Sequence, residues 1–114
     1  MRTLLLILVA FSMSSFMIQG GKPAKVKIVV IDENSLIVEG ASVTIYENAE
    51  DYKKEQNPIA MSKTNEKGFV QFKNLKEKVY YLHIEKGDLN NNRGNVKTGK
   101  LETKGKNRFE IMIN

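Results

Sequence analysis

The segment GDLNNNRGN (87–95) spaces oxygen-bearing side chains as the beginning of a calcium-binding loop does. Asp88, Asn90 and Asn92 occupy alternate positions, and an EF-hand loop takes oxygen ligands from its first, third and fifth positions. That loop also needs Gly at position 6 and a bidentate Glu at position 12, where this chain has Arg93 and Gly99. One carboxylate beside a guanidinium is a poor ligand set, so a cation is expected here only with help from another loop.

The same segment is typical of a long loop between strands. Asn and Gly tolerate left-handed φ, and Asp88 can accept hydrogen bonds from the amides that follow it. Loops of this kind vary freely and often contact partners. We therefore interpret Asp88, Asn90, Asn91, Asn92 and Arg93 as a candidate interaction loop.

One histidine and no cysteine limit the enzyme chemistry of the chain. Nucleophilic catalysis needs a nucleophile, a base and an orienting group, and a zinc site needs several His or Cys ligands. The carboxylate pairs lie in predicted loops, Asp32 with Glu33 and Glu50 with Asp51, and nothing places them across a cleft. We predict no enzyme activity, no metal centre and no cofactor.

Residues 1–20 are interpreted as a secretory signal peptide. Arg2 precedes an apolar run from Leu4 to Phe11, and a Ser-rich stretch follows. Cleavage is expected after Gly20 or Gly21, with Ser14 as a second option and an uncleaved N-terminal anchor as the alternative. Because the chain lacks Cys, lipoprotein attachment is excluded, and we expect a secreted, periplasmic or cell-surface protein with no transmembrane span after cleavage.

The charge of the chain predicts a mixed-charge surface. The formal net charge is +5 over 114 residues, and removal of Arg2 leaves +4. Lys supplies most of the excess, Glu is scattered among it, and no single-sign stripe is visible along the sequence. We therefore predict no nucleic-acid binding.

Short alternating segments after the predicted signal indicate strands. In residues 25–31, 69–75, 78–86 and 108–114, apolar side chains recur at every second position. Residues 42–46 and 59–64 are predicted to be further strands, the latter at a sheet edge, and 95–102 a weak one. Residues 49–58 read as a loop, and no window has a helical period. About seven strands at intervals of roughly 8–12 residues predict an antiparallel β-sandwich.

Three of these segments together resemble the carboxypeptidase regulatory-like domain, which is grouped with the Cna B-type and transthyretin-like sandwiches. They are VKIVVIDENSLIVEGASVTIY (26–46), TNEKGFVQFKNL (64–75) and VYYLHIEKGD (79–88). The resemblance implies a single seven-stranded antiparallel β-sandwich of Greek-key, prealbumin- or Ig-like type over residues 24–114. In this reading Gly40 bends the chain into the second strand, and Thr64 and Asn65 bond into the turn that Gly68 closes.

The resemblance carries over no catalytic residue. The hydrolase branch of the transthyretin-like group uses several His and a Tyr-Arg-Gly-Ser ending, whereas this chain ends FEIMIN. Cna B-type modules can form an internal Lys–Asn isopeptide bond, for which Lys25 or Lys27 with Asn107 or Asn114 would be the partners. Because Ile84 stands where the assisting acid is expected, we do not predict the bond.

The function predicted from the sequence is that of an exported, non-enzymatic accessory module of the cell envelope. It would bind a protein or glycan partner through its loops or through the sheet edge at residues 59–64. The alternative is a small calcium- or carbohydrate-binding domain, in which Asp88, Asn90 and Asn92 act with nearby tyrosines. Tyr46, Tyr52, Tyr80 and Tyr81 would form a stacking platform if they were exposed together.

Overall fold

The structure, a computed structural model, describes residues 22–114 and shows an all-β fold with seven strands. The predicted signal peptide, residues 1–20, lies outside the described residues. The strands are β1 (Ala24–Ile31), β2 (Ser42–Tyr46), β3 (Ala60–Lys63), β4 (Phe69–Leu75), β5 (Tyr81–Lys86), β6 (Leu89–Asn90) and β7 (Asn107–Met112), and helix α1 (Ala49–Lys54) lies between β2 and β3. Within residues 22–114, no helix is long and apolar enough to span a bilayer.

The strands form two sheets, a three-stranded sheet in the order β4-β1-β7 and a four-stranded sheet in the order β3-β2-β5-β6. β1 pairs antiparallel with β4 but parallel with β7, with Ile28 beside Phe109. The expectation of a wholly antiparallel fold is therefore wrong for the three-stranded sheet. Parallel neighbours need a long connection between them, and five strands and one helix separate β1 from β7 along the chain.

One cluster of buried apolar side chains has members from both sheets. It takes alternate residues of the strands, as the period-two pattern predicted: Val26, Ile28 and Val30 of β1, Val70 and Phe72 of β4, Leu82 and Ile84 of β5, and Ile111 of β7. Side chains between these positions point away from the cluster. The intervening side chains therefore form the outer faces, and on the three-stranded sheet they include the charged Lys27 and Arg108 as well as the apolar Met112.

Helix α1 occupies part of the segment that was predicted to be a loop. The Asn48 side chain caps it by accepting a hydrogen bond from the Asp51 amide at 2.8 Å. Acidic residues stand in the first turn and basic residues in the last, which suits the helix dipole. The helix has six residues and buries none of them, so no apolar period could reveal it.

Residues 95–102, predicted to be a weak strand, make one isolated bridge, Lys97 with Tyr81. The segment runs alongside β5 in space and is hydrogen-bonded to this part of the chain partly through side chains. Thr98 Oγ1 accepts from the Tyr80 amide at 3.0 Å, and Thr98 donates its own amide to the Tyr80 carbonyl at 2.9 Å. A side chain standing in for a backbone partner breaks the regular ladder, which is why no strand forms here.

Thr64 links the end of β3 to the start of β2, and not to the turn at Gly68 as expected. Its buried hydroxyl accepts from the Ala41 amide at 2.8 Å and donates to the Val38 carbonyl at 2.6 Å. Asn65 does bond into the predicted turn, where its side chain accepts from the amide of Phe69 and Gly68 has φ 80°. Thr64 therefore fixes the chain where it bends into β2.

Replacement of Thr64 by Val should lower the free energy of unfolding by about 1–3 kcal/mol, because a buried amide and carbonyl lose their partner while the side-chain shape is kept. Urea denaturation would measure this. Thr64→Ser retains the hydroxyl and is expected to be less harmful. A Val variant as stable as the Ser variant would contradict the role given to the hydroxyl.

Candidate functional site

The segment 87–95 contains the turn between β5 and β6, strand β6 itself and a second turn, and one of its asparagines is buried. Its residues Leu89 and Asn90 form β6, which pairs with Glu85 and Lys86 of β5. Asp88, Asn92 and Arg93 are exposed and Asn90 is half-buried, whereas Asn91 is 1% exposed. Among residues 22–114 there is no group of three His, Cys, Asp or Glu side chains that could hold a metal ion.

The Asn91 side chain completes the hydrogen bonding of the β5 edge. Its Oδ1 accepts from the Ile84 amide at 2.9 Å, and its Nδ2 donates to the carbonyls of Leu82 at 3.0 Å and Asn95 at 2.9 Å. The Asn91 amide also donates to the Ile84 carbonyl at 3.2 Å. Both polar atoms of the Asn91 side chain make hydrogen bonds within the fold. Asn91 therefore has a structural role, and its side chain is not available to a partner at the candidate interaction loop.

A small depression lies on the outer face of the four-stranded sheet, beside α1. It has a volume of about 190 Å³ and is lined by Tyr52, Lys53, Glu55, His83 and Asn92. His83 Nε2 lies 3.4 Å from the carboxylate of Glu85. His83 points away from the core, because it lies between the buried Leu82 and Ile84 on β5.

The tyrosines of the predicted platform divide between the core and this outer face. Tyr80 is buried in the core cluster. The Tyr52 ring contacts Tyr46 edge-on, with centroids 6.0 Å apart, and lies 6.1 Å from Tyr81 in a tilted arrangement. Burial, followed by the charge of Glu55, raises the pKa of both Tyr46 and Tyr52. This stacking joins α1 to the sheet and leaves one ring, that of Tyr52, at the depression.

The predicted edge strand is β3, which is the outermost strand of the four-stranded sheet. Met61, Ser62 and Lys63 are exposed there. β3 has four residues and carries a lysine, two features with which natural sheets discourage pairing with another chain. Its geometry therefore fits a protected edge at least as well as a docking site.

A basic groove, which the sequence analysis missed, lies on the outer face of the three-stranded sheet. β1 directs Lys25 and Lys27 outward and β7 directs Arg108 outward, with Lys106 just before β7. The parallel register places Lys27 directly beside Arg108. The groove has a volume of about 410 Å³ and is lined by Lys25, Val26, Lys27, Gln71, Lys106, Asn107 and Arg108.

Asn107 fixes the backbone beneath the groove. Its Nδ2 donates to the carbonyls of Lys25 at 2.8 Å and Glu102 at 2.7 Å, and its Oδ1 accepts from the Glu102 amide at 3.0 Å. These bonds tie the beginning of β7 to the beginning of β1. The basic side chains above therefore project from a hydrogen-bonded base.

The groove has an excess of positive charge. Of its four cations, Arg108 makes an ion pair, 3.3 Å from the Glu110 carboxylate, and none of the other three pairs with a carboxylate in the described part of the chain. Lys27 Nζ lies 4.2 Å from the centroid of the Phe69 ring, a cation–π contact. The surface is therefore suited to an anionic group that can approach several cations at once.

A sequence signal for the groove exists in two short motifs. KVK (25–27) and KNR (106–108) both place basic residues two apart, which puts them on one face of a strand. Neither motif is a charge run, and each alone indicates a solvated strand face. Recognition that they form one site requires the parallel pairing of β1 with β7.

Replacement of Asn91 by Ala should lower the free energy of unfolding by more than about 2 kcal/mol, because backbone groups of Leu82 and Ile84 lose buried partners. Asn92→Ala, one residue away and exposed, is the matched control and should stay within about 0.5 kcal/mol of the wild type. Thermal or urea denaturation would compare them. Equal stability of the two variants would mean that Asn91 does not hold the β5 edge.

Comparison with known proteins gives the sequence no family assignment. No protein-family model matches the chain, and no curated protein matches it.

Proposed function

We propose that this chain is an exported, non-enzymatic interaction module of the cell envelope, and that its basic groove binds anionic groups of a protein or glycan partner. The observation that carries the proposal is the groove itself, where four cations converge and one has a carboxylate partner. The export rests on the signal-like pattern of residues 1–20, and the resemblance to carboxypeptidase regulatory-like domains is consistent with an accessory role.

The proposed architecture is the β-sandwich that this resemblance implies, in which the two sheets are the layers and share the core cluster. Such a fold presents two outer sheet faces and serves many functions, so the fold alone does not name a ligand. The groove lies on the outer face of one layer, where side chains can be exchanged without disturbing the core. Substitutions that alter a binding site on this face would therefore leave the packing of the core unchanged.

Electrostatics supports binding at the groove. Like charges directly opposite each other on neighbouring strands destabilise a sheet, and Lys27 stands beside Arg108 in this way. An anion between them would relieve the repulsion and gain charge-assisted hydrogen bonds. Such contacts also accelerate association at low ionic strength.

Carbohydrate binding at the depression beside α1 is a second candidate function. Tyr52 offers a ring face, while Glu55, His83 and Asn92 offer hydrogen-bonding groups around it. At about 190 Å³, the depression is smaller than the roughly 300–1,000 Å³ of ordinary ligand pockets. The groove is therefore the favoured site, and calcium has no supporting observation.

Charge reversal in the groove tests the proposed function. The double variant Lys27→Glu, Arg108→Glu should weaken binding of an acidic peptide, polyglutamate, and of an anionic polysaccharide, polygalacturonate, by at least about tenfold at low salt, since both central cations are lost. Fluorescence anisotropy would measure the affinity, which should fall as salt rises.

The matched control is Lys63→Glu, Lys97→Glu, which reverses two exposed lysines outside the groove. It keeps the net charge equal to that of the groove variant. If both variants lost affinity equally, the binding would reflect overall charge and the groove would not be a site.

A further inference from the structure

The outer face that carries the basic groove continues along the strands into exposed apolar surface. Beyond Lys27 on β1, the outward side chains are Val29 and Ile31. Phe69 of β4 is paired with Val29, Met112 of β7 with Ile31, and Ile37 bridges Ile31 in antiparallel fashion. We name this surface the apolar strip: Val29, Ile31, Ile37, Phe69 and Met112.

The apolar strip is not part of the core. Val29 is buried but absent from the core cluster, while Ile37 is 53% exposed and Met112 is 46% exposed. Lys27 lies over the ring of Phe69, so the groove and the strip are in contact. Cations and apolar side chains therefore form one continuous face.

A tight turn holds the end of the strip in place. Asp32 Oδ1 accepts from the amides of Asn34 at 2.9 Å and Leu36 at 3.0 Å, and the Asp32 amide donates to the Leu36 carbonyl at 2.8 Å. Ser35 adopts a left-handed φ of 65° within this turn. Next to it, the Val38 amide donates to the Val30 carbonyl at 2.9 Å. Ile37 is thus presented by hydrogen-bonded backbone.

Exposed carboxylates lie in the turns at the end of the strip that is away from the groove. Glu33 belongs to the Asp32 turn. Glu110, in contrast, stands beside Val29 next to the groove, where it pairs with Arg108. Glu66 belongs to the turn that ends at Gly68, whose position is so close to Ile37 that an added Cβ would lie 2.7 Å from the Ile37 Cβ. The face is therefore basic at one end, apolar in the middle and acidic at the other.

We infer that this face binds a protein segment that carries acidic residues next to apolar ones, and that the segment lies along β1. This inference rests on the proposed function and names the partner class of the same groove. The C–H faces of sugar rings pack best on flat aromatic rings, whereas the most exposed side chains of the strip, Ile37 and Met112, are not aromatic. An anionic bilayer would meet Glu33, Glu66 and Glu110, whereas a protein can offer both signs of charge around an apolar centre.

Selection from a library of random twelve-residue peptides displayed on phage would test the inference. Lys25 and Ile31 are six positions apart on β1, about 20 Å of strand at roughly 3.3 Å per residue, so twelve residues are enough to span the face. We expect the enriched peptides to combine acidic residues with aliphatic or aromatic ones. Enrichment of acidic peptides without apolar residues, or no enrichment above background, would overturn the inference.

Two variants separate this inference from the proposed function. Ile37→Ser, Met112→Ser should reduce affinity for a selected peptide by at least about tenfold and leave polyglutamate binding unchanged. Ile59→Ser, Met61→Ser is the matched control, since both residues are exposed and apolar and lie at the β3 edge of the other sheet. The groove reversal Lys27→Glu, Arg108→Glu should weaken both ligands.

The outcomes are distinguishable. If the strip variant binds the selected peptide like the wild type, the apolar contact is wrong while the groove stands. If the groove reversal leaves polyglutamate binding intact, the proposed function fails first. Co-sedimentation with phosphatidylglycerol vesicles that the strip variant abolishes would assign the face to a bilayer and overturn the protein partner.

Discussion

The parallel register between β1 and β7 is the constraint on which both the core and the candidate site depend. It places Ile111 beside Val30 on the inner face and, three residues earlier on both strands, Arg108 beside Lys27 on the outer face. A shift of one residue would exchange the two faces, since side chains alternate along a strand. The apolar inner side chains of β7 therefore also fix where its cations stand.

Beyond the short strand β6, polar side chains supply the hydrogen bonds that a full neighbouring strand would give to β5. Along the outer edge of β5, Tyr80, Leu82 and Ile84 find their partners among Thr98, Val96 and Asn91. Half of these bonds come from side chains, so the edge is satisfied without a full neighbouring strand. The reciprocal bonds between the backbones of Asn90 and Asn114 then connect β6 to the end of β7. This side of the molecule offers little free backbone to another chain.

Period-two patterns predicted the strands of the core and the facing of their side chains because burial is decided locally, residue by residue. The turn at Asn65–Gly68 was equally readable, since positive φ and side-chain bonding leave a local signature. In contrast, neither the choice of pairing partner nor the parallel or antiparallel direction of a strand leaves a local signature in the sequence. The parallel placement of β7 depends on where a distant strand finds free backbone, and helix α1 depends on a cap and a dipole rather than on an apolar face.

The candidate site was harder to predict than the fold for the same reason. Asn91 and Asn92 are neighbours of one type in one loop, yet one is buried by contacts with β5 and the other is exposed. Composition cannot separate them. Lys25 and Arg108 are 83 residues apart along the chain, and each looks like an ordinary surface charge until the two strands are paired. The resemblance expected from the sequence implied strands and turns but no residues of a site.

The groove brings four cations together, and among the described residues only Arg108 has a carboxylate partner, so the stability of the fold is sensitive to the anions around it. A counter-ion that bound the folded groove more tightly than the unfolded chain would stabilise the fold by mass action. The melting temperature would then depend on which anions are present, and not only on ionic strength. Substitutions that neutralise the groove would remove repulsion between neighbouring cations and so stabilise the fold, at the cost of any anion binding that the groove supports.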